Sequence, residues 1–429
     1  MTIIELGEVR DDAEPEPPRR PSGTVGRPGR IALVLVLALV AVGGAAPPQR
    51  REPFTVPARS GSAAYLTGDR LLVTEPADAA TGRAGQLSAY AVPAAGAGPL
   101  SPLWRVPVPA AGGYGGLRIW NGLVFLVSGA QRDGPFRTFA FDLATGRPRW
   151  EQPGAGFEAG DGLLIINDLA GESRGVRLLD PATGRPRWTL PVVPGATSYR
   201  FRSDGVDRIV LTPATGPAEV RDARTGLLLR RAPINSGDLP VVQQAQVVDD
   251  LLLVVRDYAS RVTAYGLDGL ERRWELRLGL ISGFADCGTV ICAYGQTGGV
   301  WGLDPATGTV RWRAPGWRTV TGERAGRLLA SLPAFGAQEA YAFLDAATGR
   351  PIREVGSWNL AAWYPPDGRL VGLRPTPDGR LVVAELDLDT ARARVLDVLP
   401  GVSGECQAGG DLLLCRREDD SYGLWRLTA

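Results

Sequence analysis

Histidine is missing from this 429-residue chain, and so is lysine, all 47 basic residues being arginine. The first absence removes histidine triads and histidine metal sites, and the second removes lysine Schiff bases. Cysteine is scarce, at four residues, and no two of them are adjacent. Charge of one sign is not in excess: 47 basic and 46 acidic residues leave +1. Nothing therefore draws the whole chain to nucleic acid or to an acidic membrane surface. No glycine-rich phosphate loop follows a strand and opens a helix. Long apolar runs are lacking too, except at Ile31–Ala46. Glycine (56) and proline (35) are plentiful, as in a turn-rich β protein.

The abundant turn residues are organised by a repeat. GVRLLDPATGRPRW at Gly175–Trp188 returns almost unchanged at Arg137–Trp150, at Val300–Trp312, and more loosely at Ala340–Arg353 and Ala218–Arg230. Worn copies stand at Val383–Val395, without the glycine, and at Thr263–Trp274, with Gly266 in the aspartate's place. The marker residues Asp142, Asp180, Asp222, Gly266, Asp304, Asp345 and Asp387 are spaced by 38, 42, 44, 38, 41 and 42 residues. A fixed period near forty decides the architecture before any other argument. Within each copy an apolar strand precedes the aspartate. The aspartate hydrogen-bonds local backbone and the glycine supplies positive φ. A second strand then carries Trp150, Trp188, Trp274 or Trp312, large anchors expected to wedge against the neighbouring unit.

Upstream of each hairpin lies a second apolar run, at Leu71–Val73, Leu123–Val127, Leu163–Ile166, Arg208–Leu211, Leu251–Val255, Val290–Ala293, Leu328–Ser331, Leu370–Leu373 and Leu412–Cys415. Each unit is thus four short antiparallel strands, one blade of an all-β propeller. Nine runs are present while four to eight blades are usual, so eight blades are expected and nine stay open. The last unit ends at a third strand, Ser421–Arg426, and Pro53–Val56 is placed to supply the fourth and close the ring. A further D-x-x-T-G at Asp78–Gly82 is read as a polar loop between strands of the first unit.

The A-x-D-x-x-T-G-x-x-x-W pattern resembles the tryptophan-docking repeats of the PQQ-binding-like, quinoprotein alcohol dehydrogenase-like propellers, over a propeller spanning 62–429. That resemblance implies the fold. For function it implies either of two things, because the superfamily holds quinone-dependent dehydrogenases and also non-enzymatic scaffolds. The dehydrogenases carry a calcium-held quinone (PQQ) over an axial tryptophan, with a catalytic aspartate and, in many, a disulfide between adjacent cysteines. This chain has no adjacent cysteines, no haem attachment motif and no long insertion between blades. The recurring aspartates and tryptophans are structural on this reading, since a catalytic residue occurs once whereas a structural one repeats with the blade. Expected catalytic, cofactor-binding and metal residues are therefore none. Trp120, Trp301, Trp317, Trp358, Trp363 and Trp425 stand outside the repeat and are candidates for lining a surface.

The N-terminal part divides into a polar, proline-rich tail expected to be disordered (1–30), an apolar segment (31–48) and a linker (49–61). Nineteen uncharged residues separate Arg30 from Arg50, near the ~20 that span a bilayer. The segment reads as an uncleaved signal anchor with its N-terminus in the cytoplasm and the propeller outside, against the rival of a signal peptide cut after Ala45. No cysteine follows it, which excludes lipoprotein processing. Cys287 with Cys292, and Cys406 with Cys415, each bracket a turn of their own unit, and within-blade disulfides fit an oxidising compartment. A zinc site is the rival pairing, disfavoured by the missing histidine and by spacings outside the usual ligand patterns. The functional expectation is a membrane-anchored extracytoplasmic module that binds a protein, peptide or cell-envelope glycan, without nucleic acid; a quinone-dependent dehydrogenase is the alternative.

Overall fold

Strand formation follows directly from the patterning. In 114–153 the second and third strands, Leu123–Ser128 and Arg137–Asp142, are almost continuously apolar and buried, because neighbouring sheets cover both of their faces. The fourth, Pro148–Pro153, is the outer edge and alternates between exposed and half-buried residues. Tyr114–Trp120 is the inner strand, and the four pair antiparallel in sequence order.

The computed structural model describes residues 52–427 except 79–80, 109–113, 130–135, 168–174, 192–194, 214–215, 235–243, 333–338 and 362–368. The expected tail and membrane anchor lie outside the described residues. Among those described there is no helix, and so none long and apolar enough to cross a membrane.

Described residues form nine such four-stranded antiparallel units, or blades. The first seven span 63–108, 114–153, 155–191, 195–232, 244–277, 281–314 and 319–360. Blade 8 takes its inner strand from the end of Pro351–Leu360, where Asn359 and Leu360 pair with Leu373 and Gly372, and continues to Pro400. Blade 9 has three strands from 402–426, a fourth from near the start of the chain, and a short parallel fifth, Gly98–Pro99, at its outer edge. Phe54–Val56 pairs antiparallel with Tyr422–Leu424.

Nine apolar clusters occupy the nine gaps between consecutive blades. The one that closes the ring packs Val56, Leu412, Leu414 and Leu424 of blade 9 on Leu71, Val73 and Tyr90 of blade 1. The expected count of eight is thereby corrected to nine. Each apolar run is the second strand of a separate blade and none is shared. The boundary between blades 7 and 8 falls within one continuous strand, Pro351–Leu360, broken only by the positive-φ Gly356.

Candidate functional site

Five of the D-x-x-T-G turns, those beginning at Asp142, Asp180, Asp222, Asp304 and Asp345, join the third and fourth strands of their blades, and each receives the tryptophan of the blade before it. Trp104 Nε1–H donates to Leu143 O at 2.8 Å, Trp150 to Pro181 O at 2.8 Å, and Trp188 to Arg224 O at 3.2 Å. Trp274 donates to Pro305 O and Trp312 to Ala346 O, both at 2.9 Å. Under each indole lies the turn glycine: 146, 184, 226, 308 and 349, all with φ between +66° and +72°. A Cβ added at Gly184 would stand 2.5 Å from Trp150 Cγ, inside contact distance. The glycine therefore serves two ends, a left-handed backbone and a seat for the ring.

The acids of the same turns are spent locally. Asp142 Oδ1 accepts from Thr145 N at 3.0 Å and Thr145 Oγ1 at 2.9 Å, and Asp180 and Asp222 repeat this with Thr183 and Thr225. Asp304 takes the N–H groups of Ala306 and Thr307. Asp345 caps Thr348, and Asp387 caps Asp389 and Thr390. The residue before the tryptophan is bulged out of the strand pairing, since Trp150 faces Ala140 while Pro148 faces Phe141. The bulged side chain swings back over the turn: Arg149 reaches Asp142 at 2.6 Å, Arg187 reaches Asp180 at 3.2 Å, and Arg311 reaches Asp304 at 2.5 Å. Arg149 and the Thr145 hydroxyl hold the Asp142 carboxyl down at about 2; Arg311 and the backbone amides do the same for Asp304.

Where the tryptophan is missing, the next glycine is missing too. Arg230 stands at the tryptophan's position in blade 4 and donates to Gly269 O at 3.0 Å, and the facing turn has Leu270 at φ +55°. Blade 7 has Arg353 there, and blade 8 answers with Ala391 at φ +52°. In that gap Trp358 fills the core instead, packed over Gly372 and 3 % exposed. Trp317 and Trp425 are buried as well, so their expected place on a lined surface is corrected, as is that of Trp358; inter-blade cores hold all three. Trp120 and Trp301 pack beside the cores of their gaps, and Trp363 lies outside the described residues.

Both disulfides join the first two strands of one blade. Cys287–Cys292 lies in blade 6 with Cα atoms 5.8 Å apart, and Cys406–Cys415 in blade 9 at 4.1 Å. The first is wholly buried, whereas Cys406 lines a cavity of about 370 Å³ together with Glu405, Glu418 and Arg380. Asp78 closes a small exposed turn on Thr81. Among the described residues no group of three or more acids and cysteines is placed to hold a metal ion.

Side chains that the repeat does not announce stitch the inner strands. Gln246 of blade 5 accepts from Phe284 N at 3.0 Å and donates to Phe284 O at 2.6 Å in blade 6. Gln407 of blade 9 does the same for Leu66 N and Ala64 O of blade 1, at 3.1 and 2.9 Å. Buried arginines are a second surprise. Arg256 donates to Ile234 O, and Arg416 binds Ser62 O, the Tyr422 hydroxyl and Glu405. A charged residue ending an apolar run, as in LLLVVR and LLLCRR, was the available signal.

No curated protein sequence matches this chain. Among solved structures it is similar to BamB from Moraxella catarrhalis, at 14% identity with 85% of this chain and 93% of that one covered and a TM-score of 0.40. It is similar also to the computationally designed Ika8 protein (17% identity, 73% and 96% covered, TM-score 0.47). A chain of the Mitotic Checkpoint Complex matches at 14% identity, 63% and 88% covered, with a TM-score of 0.39. The family described as outer membrane protein assembly factor BamB matches residues 172–387, from blade 3 into blade 8 and half of the sequence. With its docked tryptophans and D-x-x-T-G turns, this chain belongs to that family of PQQ-like repeat propellers.

Proposed function

We propose that this chain is a protein-interaction scaffold, held at the outer face of a membrane by 31–48, and not an enzyme. The observation that carries the reading is its membership of a family described by an assembly factor, matched over residues 172–387. Supporting it, the strongly patterned acids and tryptophans are committed to turns and blade gaps, which leaves them no catalytic work. Edge strands instead offer uncommitted surface. Leu227, Leu228 and Leu229 of blade 4 and Ile352 of blade 7 are exposed, in hairpins where an apolar residue replaces the bulged arginine. The two disulfides suit a domain outside the cytoplasm. The partner is a protein or peptide of the cell envelope. Cross-linking in intact cells, followed by mass spectrometry of partners captured on the full chain, tests the proposal. A reproducible partner lost on Leu228→Arg plus Leu229→Arg supports it. Capture of nothing beyond the background of an unrelated membrane-anchored domain overturns it.

A further inference from the structure

A second kind of site opens between blades 6 and 7, at the end of the ring opposite the docking turns. There the turn 295–299 of blade 6 faces the connection into blade 7 across a cavity of about 550 Å³, lined by Ser282, Tyr294, Gln296, Thr297, Arg318 and Thr319 with backbone of Gly295 and Gly298. That size falls within the range of small-molecule sites, about 300–1,000 Å³. The lining is hydroxyl, amide, one phenol ring and one guanidinium, with no carboxylate among the described residues that line it.

The walls are fixed before any ligand arrives. Gly295 N–H bonds Gly299 O at 3.0 Å, Gly298 N–H bonds Gly295 O at 3.1 Å, and Gly299 N–H reaches across to Trp317 O at 2.8 Å. Arg318 N–H is tied to Ser331 O at 2.8 Å, and Gln296 Nε2–H to Ile281 O at 3.2 Å. Gly295 has no room for a side chain: a Cβ there would stand 2.9 Å from the Trp301 ring. What stays uncommitted is the Arg318 guanidinium, exposed and without an ion pair among the described residues. Ser282, Thr297 and Thr319 line the same cavity, the Ser282 hydroxyl donating to Tyr294 O at 3.2 Å.

We infer that this cavity binds an acidic sugar, the Arg318 fork taking the carboxylate and the hydroxyls with Gln296 taking the ring hydroxyls. A planar guanidinium matches a carboxylate bidentately, and such charge-assisted bonds are roughly twice as strong as neutral ones. Hydroxyl-bearing ligands suit a wall of short polar side chains and exposed backbone better than an apolar ligand does. A lone cation with no counter-charge selects an anion over a neutral sugar. The site stands apart from the partner surface proposed above, on blades 4 and 7, and neither depends on the other.

Isothermal titration of the full chain in detergent with digalacturonic acid, maltose and inorganic phosphate tests it. Saturable binding of digalacturonic acid is expected, weakened at least about tenfold by Arg318→Gln and unchanged by Arg313→Gln on the outer strand. Equal melting temperatures of the two variants show that folding is not the cause. Three results overturn the inference: no binding of digalacturonic acid up to about 20 mM, binding indifferent to Arg318→Gln, or phosphate bound as tightly as the disaccharide. Maltose binding as tightly as the acid would remove the role given to the guanidinium and overturn it likewise.

Discussion

Trp312 covers Gly349. Its Nε1–H donates to Ala346 O, three residues earlier in the same turn, and a Cβ at 349 would stand 2.5 Å from its Cε3. Five blade gaps contain this pair, while the gaps behind Arg230 and Arg353 contain neither member, with Leu270 and Ala391 in the glycine's place at positive φ. The left-handed turn alone thus does not demand glycine. The ring above it does.

A double-mutant cycle separates the two demands. Gly349→Ala is expected to cost about 2–4 kcal/mol in the wild-type chain, through left-handed strain and the displaced ring together. In a Trp312→Arg background the same change should cost about 1 kcal/mol, the strain alone. Denaturant titration of the four proteins checks it, and additive costs would show that ring and glycine are independent.

Burial grades the tryptophans. Trp312 is 7 % exposed, so Trp312→Ala should lose ~3–5 kcal/mol. Trp188 is half-buried, with a longer bond of 3.2 Å, and Trp188→Ala should lose clearly less. Equal losses would contradict the assignment.

Legibility in the sequence followed the range of the interaction. The turn chemistry at Asp180–Gly184 is local, recurs seven times in some form, and was readable from the letters. Blade number was in the letters as nine apolar runs, and eight was expected only because four to eight blades are usual; strand Pro351–Leu360, which belongs to two blades, joins the seventh and eighth without a loop. Contacts such as Gln407 with Leu66 span 341 residues, and one glutamine among many polar residues carries no periodic mark. The acidic-sugar cavity was invisible for the same reason. Its residues come from two blades and none repeats.

Glutamine clamps should matter equally wherever they lie in the ring. Gln246→Leu and Gln407→Leu each strand a backbone N–H and C=O of the next inner strand, at an expected cost of about 1–3 kcal/mol. Chemical denaturation measures both. A much larger loss at Gln407 would mean that the seam between blades 9 and 1 is the weak point of the ring.

Acid should loosen the turns in a defined window. Arg149 and Arg311 are the main cause that holds Asp142 and Asp304 at about 2, against an ordinary 3.8, and threonine hydroxyls lower Asp180, Asp345 and Asp387. Depressed carboxylates contribute stability that is complete above the unfolded value and lost as pH falls through the folded one. Urea midpoints should therefore decline between about pH 4 and 2, less steeply in Asp304→Asn and less steeply in high salt, because these groups are exposed. A flat profile over that window contradicts the role of the caps.

Reduction should discriminate the disulfides. Cys287 and Cys292 are wholly buried, whereas Cys406 faces a cavity. Graded dithiothreitol with alkylation and peptide mapping should label Cys406 and Cys415 first, since exchange needs access to sulfur. Protein from the cell envelope should start with both bonds formed. Four free thiols there would contradict an extracytoplasmic domain.

Quinone redox chemistry is the last test, since the family's repeat is named for it. A bound quinone needs a cation held by side-chain oxygens and a base at the reacting carbon. Here Asp142, Asp180 and Asp304 spend their oxygens on threonine, backbone amides and the bulged arginine of their own hairpin. Freeing one for calcium would break the turn that seats the preceding tryptophan. Fold alone does not carry the activity across. The full chain mixed with the quinone and calcium should show no shift in melting temperature and no dye-linked oxidation of alcohols or sugars. Stabilisation together with turnover would overturn the scaffold reading and make this propeller a dehydrogenase.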